Sequence, residues 1–409
     1  MPVNVSTDLP ILLYFRDHSD PVHGCSPSDA SRPVEVTVPM ELTVQKGDLL
    51  HELQLCQGIV ERKNTIPILG NVLLEANDAG SVRLLATDLE VGLRSQCQAS
   101  ISRAGALTVP AKKLFEIVRA LPDTEIRLEA GAHGAVNVSA DRFDSRMQTL
   151  PREDFPTLPD PGVDGAETVA REALRGMVMK TQFAITGEDT RYFLNGALFV
   201  LKPGSMSLIA TDGHRLALAS SAWDGTDVPD GEIRAILPKK TLGELSRLLA
   251  GGEGEVRYTR GESHLFFEID GRQLISRTID AQFPAYERVI PTGNDKLVDF
   301  ERDRLSSAIK RVALLSSERS HAVKFQIADS TAEVTSSSPE LGEAKEVLPV
   351  DYTGAELQIC FNAQYVLEFL AVAETDSVTL ELKDEKSQAV MYPSGEKTAY
   401  TYVIMPMRV

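Results

Sequence analysis

Leu84-Leu85-Ala86-Thr87-Asp88-Leu89-Glu90-Val91-Gly92-Leu93 returns in near-identical form as Leu208-Ile209-Ala210-Thr211-Asp212-Gly213-His214-Arg215-Leu216-Ala217-Leu218. Thr87, Thr211 and Thr335 are spaced 124 residues apart. A second landmark keeps almost the same period: Val109-Pro110 before AKKLFEIVRAL, Leu237-Pro238 before KKTLGELSRLL, and Phe361-Asn362 before AQYVLEFL. A period of roughly 120 residues is the size of a domain with its own core and far exceeds a solenoid unit. The chain therefore reads as three tandem copies of one domain, at 40–160, 167–292 and 297–409.

Each copy opens on an amphipathic helix: GDLLHELQLCQGIV, REALRGMVMKTQFAI and RDRLSSAIKRVALLS. In the second, Leu174, Met177, Val178 and Phe183 fall near one face, while Arg171, Arg175 and Lys180 fall largely elsewhere. Alternating strands follow, such as SVRLLATD, SLIATD and AEVTS; then comes the helix after the second landmark; then more strands, such as EIRLEA, HLFFEID and SVTLEL. The expected class is α+β, with two helices packed on antiparallel sheets in every copy. FPTLP and FPAYERVIP close copies one and two, and their prolines suit linkers.

Residues 1–39 belong to no copy. They are rich in Pro, Ser and Asp around one short apolar run, Ile11 to Phe15, and read as a disordered extension. Two readings of this segment stay open: a loose tail before a natural start at Met40, or a peptide arm that docks a partner. It lacks the basic stretch and long apolar core of a secretory signal, and no segment reaches the ~20 apolar residues of a membrane span. The expected location is cytoplasmic, with no membrane partner. Cys25, Cys56, Cys97 and Cys360 are scattered without CxxC spacing, so neither a disulfide framework nor a zinc site is expected.

With 42 basic and 59 acidic residues, the net charge is −17, which at first argues against nucleic acid. The distribution argues otherwise. Windows 171–180, 302–311, 112–119 and 239–247 carry +2, +3, +2 and +2, against 0 for 46–63 and −2 for 364–374. Phosphate contact needs only a locally positive face; the competing reading is that these cations decorate solvated helix faces. A catalytic reading of Asp212 and His214 is weak: no GxSxG elbow, HExxH helix or GxxxxGK[ST] loop is present, and the matching positions are Asp88-Leu89-Glu90 and Ser336-Ser337-Ser338. No cofactor is expected. Besides this enzyme reading, a monomeric three-domain peptide-binding scaffold stands as a further alternative.

NTIPILGNVLLEA, ATDLEVGLR, RYFLNGALF, ATDGHRLAL, FPAYERVIP and the terminal YVIMPMR, in this order, resemble the bacterial DNA sliding clamps, the β subunits of the DNA polymerase III holoenzyme. The resemblance covers about residues 40–409. It implies a non-catalytic processivity factor: three tandem clamp domains per chain, and a head-to-tail homodimer forming a six-domain ring around double-stranded DNA without reading its sequence. Its other partners would be a clamp loader, the DNA polymerase III α subunit, and further polymerases and repair proteins.

Simple geometry agrees. Six helices ~10 Å across set side by side leave a hole of only ~9 Å, whereas twelve leave ~28 Å, enough for a duplex roughly 20 Å wide.

The resemblance also implies site residues. A pocket for short linear peptides would use Arg191, Leu194, Thr211, Gly213, His214, Arg215, Leu216, Pro284, Arg288, Val289, Val403, Met405, Pro406, Met407 and Arg408. Its apolar members suit an adaptable groove, methionine especially. DNA contact would fall to Arg62 and Lys63, with Arg191 and Tyr192 bordering the same face and Lys112, Lys113, Lys239 and Lys240 ranked lower. The subunit interface would join Leu314 and Leu315 to Met147 and Phe143 of the other chain; Ser145 stands where an aromatic is usual.

Overall fold

The computed structural model describes residues 40–60, 65–77, 79–162, 165–187, 189–225 and 231–408. In each copy a strand runs directly into a helix. Three antiparallel strands follow, then a strand feeding a second helix, then three closing strands; copy one inserts one more short strand, Ser100–Arg103, which pairs with its opening strand Glu41–Gln45. The first helices are α1 (Lys46–Ile59), α3 (Arg171–Thr181) and α5 (Arg302–Val312); the second helices are α2 (Ala111–Ala120), α4 (Lys239–Leu249) and α6 (Ala363–Val372). The landmark dipeptides end the strand before each second helix. Pro110 and Pro238 lack an N–H, which suits the end of a ladder. In copy three Asn362 instead accepts from Gln364 N at 2.9 Å as a side-chain cap.

Helical spacing buries one stripe of each helix. Leu49, Leu53, Cys56 and Ile59 of α1 are fully buried, as are Leu305, Ala308, Ile309 and Val312 of α5. Two expectations shift. RDRLSSAIKRVALLS does not stay helical throughout: α5 stops at Val312, and Ala313–Leu315 form a 3-10 turn closed by Ser316, whose Oγ donates to Ala313 O at 2.7 Å. Arg171 is not a surface cation. It is only 3% exposed, and its guanidinium donates to Asp270 Oδ2 and Leu248 O, both at 2.8 Å. Gly252, at φ 84°, makes room for it, because a Cβ there would stand 2.8 Å from Arg171 Nη1.

The repeated Thr-Asp phrase is a strand-connecting turn. Thr87 Oγ1 donates to Val91 O at 3.1 Å and Thr211 Oγ1 to Arg215 O at 2.6 Å. Asp88 Oδ1 accepts from Glu90 N and Val91 N, and Asp212 Oδ1 from His214 N and Arg215 N, closing the same turn twice. Copy three departs from this pattern. Thr335 lies within the strand Thr331–Ser338, whose ladder with Gly342–Pro349 continues to Ser338 opposite Gly342.

These turns sit where the copies join. Val91–Gln98, the third strand of copy one's first sheet, pairs antiparallel with Arg272–Arg277, the last strand of copy two. Arg215–Trp223 of copy two pairs in the same way with Tyr400–Ile404, the last strand of copy three. Each junction thus fuses two four-stranded sheets into a continuous eight-stranded one. Helices reinforce the seams. At the first, Arg272 holds Glu52 of α1 through two bonds of 2.5 and 3.0 Å, and Lys240 of α4 reaches Asp88 and Ile59 O. At the second, Lys180 of α3 pairs with Glu374 at 2.9 Å, and Arg215 pairs with Glu368 of α6.

The positions that join elsewhere are left over at the two ends. Gly342–Pro349 of copy three and Phe143–Gln148 of copy one are outermost strands among the described residues. Unpaired strand edges invite pairing. Apolar side chains are exposed beside both: Leu314 (76%), Leu341 and Val347 at one, Phe143 and Leu150 at the other.

Glu52 is almost wholly buried at the first seam. Removing its partner leaves a desolvated carboxylate, which costs about 3 kcal/mol. Arg272→Ala should lower the urea midpoint accordingly, and Arg272→Ala combined with Glu52→Leu should recover much of the loss; equal midpoints for wild type and Arg272→Ala would show that the pair contributes nothing.

Candidate functional site

Beside the second junction lies a cavity of about 250 Å³. Its floor is the seam itself: Leu216 and Val403 stand opposite one another across the inter-copy ladder, both 1% exposed. Leu194, in the 3-10 turn Tyr192–Asn195, adds a second buried surface. The linker supplies a wall through Pro284, Tyr286 and Val289, and Met405 leans in from beyond the last strand, its N–H donating to His214 O at 2.9 Å.

Polar side chains also line the cavity. Arg191 is held by Asp189 through two bonds of 3.0 and 2.8 Å. Hydrogen bonds from the Arg191 side chain and backbone hold the Asp189 carboxyl down to about 2. A depressed carboxyl keeps its interaction above the ordinary carboxylate range and loses it only as pH falls through that low value. Gly213, at φ 88°, lies against Arg191, and a Cβ there would stand 3.2 Å from Nη1. The Arg215 guanidinium stacks 4.2 Å from the Tyr365 ring centroid and donates to Phe183 O at 2.7 Å and Asp212 Oδ2 at 3.0 Å. Burial disfavours its charge, but Tyr402 and Glu368 outweigh that and hold its pKa above the ordinary value. Asp212 is thus committed to its turn and to Arg215. The arrangement offers an apolar slot with a few donors, which suits side chains of an extended peptide.

Eleven of the fifteen pocket residues named from the sequence line this cavity. The other four do not. Arg288 is exposed on the 3-10 turn Tyr286–Arg288. Pro406 and Arg408 line a neighbouring cavity, and Met407 N donates to Cys360 O at 2.8 Å. Phe193, Tyr286 and Gln388 also line the site and were missed. Phe193 and Tyr286 lie inside the phrases RYFLNGALF and FPAYERVIP and were within reach; Gln388 sits in a hairpin with no motif.

The residues expected to contact DNA lie in different settings. Arg62 and Lys63 lie outside the described residues. Tyr192 is 73% exposed next to Arg191. Lys112 and Lys113 are exposed at the start of α2, where Lys113 pairs with Glu116 at 2.8 Å. Lys239 Nζ donates to Ile185 O at 3.1 Å, and Lys240 is engaged at the first seam. Leu314 and Leu315 flank one free sheet end, while Phe143 and Met147 lie on the strand at the other. Among the described residues no group of three metal-ligating side chains occurs, and no helix is long and apolar enough to cross a membrane.

Three α+β copies joined sheet to sheet, with an apolar cleft at the second seam, define a clamp-type chain. Family models for the N-terminal, central and C-terminal domains of the DNA polymerase III β subunit match residues 40–159, 168–285 and 287–408. The β sliding clamp of Pseudomonas aeruginosa is 37% identical over 373 residues, covering 90% of this chain and all of that one. That of Escherichia coli K12 is 36% identical over 372 residues, with the same coverage. Among solved structures, a P. aeruginosa clamp bound to griselimycin superposes with a TM-score of 0.85 at 36% identity, over 90% of this chain and all of that one. A Bartonella birtlesii clamp, also bound to griselimycin, gives 0.86 at 35%, over 91% of this chain and all of its own. The chain belongs to the DNA polymerase III β-subunit family of sliding clamps.

Deleting residues 405–409 removes Met405 from the cavity and leaves the strand Tyr400–Ile404 in its ladder. The truncated protein should keep its oligomeric state in sedimentation and lose peptide binding by fluorescence anisotropy; undiminished binding would reject the cavity as the peptide site.

Proposed function

We infer that this protein is a DNA polymerase processivity factor, a sliding clamp whose head-to-tail homodimer encircles duplex DNA and tethers partner proteins by short linear peptides. The junction rule carries the reading. Within the chain, the third strand of one copy's first sheet always meets the last strand of the next copy's second sheet. Applying the rule once more sets Gly342–Pro349 of one protomer beside Phe143–Gln148 of its partner. A second copy applies it in the other direction and closes the ring with no free end, as closed symmetry requires. The apolar side chains at the two ends, Leu314 and Leu315 with Phe143 and Met147, then cover one another.

A closed ring holds DNA by topology, so its inner face needs only weak phosphate contacts that permit sliding. Exposed cations on α2, α4 and α5 (Lys112, Arg119, Arg247, Arg304 and Lys310) and the Arg62-Lys63 segment supply the positive charge. The cavity of the second junction takes apolar side chains of a partner's linear peptide. Its users are the α subunit of DNA polymerase III, other polymerases and repair proteins, and a clamp loader that spends ATP to open the ring. The chain itself acts as a non-catalytic accessory subunit of the holoenzyme in the cytoplasm.

Leu314→Asp with Leu315→Asp buries four like charges across the two interfaces of a ring. The variant should sediment as a folded monomer at micromolar concentration and leave polymerase products short in primer extension. A dimer that persists with full-length products would move the interface elsewhere.

A further inference from the structure

The peptide cleft does not end at its apolar slot. Gln388 and Met405 are shared with a second, more open cavity of about 610 Å³. The character of the wall changes there: Lys383, Lys386 and Arg408 line it, and no acidic residue does. In a chain of net charge −17, such a cluster stands out. None of the three side chains forms an ion pair among the described residues, and two carboxylates nearby, Asp384 and Asp295, are engaged elsewhere, while Glu385 does not line the cavity. Asp384 accepts from Lys386 N, Ser387 N and Ser387 Oγ at 2.9, 2.7 and 2.9 Å, and Asp295 pairs with Lys296 at 2.8 Å.

We propose that this basic annex selects partner peptides carrying acidic side chains beside their apolar anchors, the anchors filling the slot over Leu216 and Val403 and the carboxylates lying between Lys383, Lys386 and Arg408. The inference rests on the cleft being the peptide site. Complementary charge at an exposed rim favours encounter and discriminates among partners more than it adds affinity. Each solvated pair contributes modestly and is screened by salt.

The test uses the full-length protein and two labelled synthetic peptides that share a pair of leucine anchors, one flanked by Asp and Glu, the other by Asn and Gln. Fluorescence anisotropy should show the acidic peptide binding about three- to tenfold tighter at low salt, with the gap closing at high salt. Lys383→Gln with Lys386→Gln should narrow the gap between the two peptides to what Arg408 alone sustains, with an unchanged melting temperature to show an intact fold. Equal binding of both peptides to the wild type overturns the annex and leaves the cleft standing, as does a gap that is undiminished in the double variant. Failure of both peptides to bind overturns the cleft and the annex together. A duplex oligonucleotide that displaces the acidic peptide and loses its own binding in the double variant would assign the lysines to DNA phosphates instead.

Discussion

The main-chain ladder that crosses from one copy to the next is the constraint on which the rest depends. Backbone N–H and C=O groups at a strand edge must find partners, and here the partner of each copy is the copy after it. The seam is also the floor of the cleft, because Leu216 and Val403 face each other across it. Ion pairs fix the helices to the same seam: Glu52 with Arg272 at the first, Arg215 with Glu368 at the second. In such a chain the joining strand of copy three, Gly342–Pro349, and that of copy one, Phe143–Gln148, stay at sheet edges, and a second copy pairs both.

Charge follows a division of labour. The acidic surplus of the chain coexists with cationic helices, yet several of those cations are structural: Arg171 is buried against Asp270, Lys180 bridges to Glu374, and Lys240 binds Asp88. Among the described residues, the helix cations left exposed include some already paired within their own helix, as Lys113 is with Glu116. Weak, non-specific attraction of this kind suits a ring that must slide. The denser basic patch lies beside the cleft, at Lys383, Lys386 and Arg408.

Much of this was legible in the sequence. The Thr-Asp phrase and the landmark before each second helix mark the same structural points, a turn at the seam and the end of a ladder, so their repetition reports the repeat of a whole domain. The third copy shows the limit: Thr335 keeps its register, but the strand runs past it to Ser338, because no aspartate follows to close the turn. Eleven of the residues named through the phrases line one cavity, and Phe193 and Tyr286 stand inside the same phrases, whereas Gln388 lies in a hairpin with no motif and carries no signal of its place there. The fate of individual cations was not legible. Lys240 and Asp88 belong to different copies, and only the folded seam brings them together.

Topological retention is the central claim, and retention on circular against linear DNA tests it most directly. The protein is loaded on nicked circular DNA by its clamp loader and ATP, freed of unbound protein, and followed before and after the circle is cut. Persistent association with the circle and rapid loss from the cut ends is the predicted result. Equal retention on both forms would contradict the ring and leave a protein that binds DNA by contact alone.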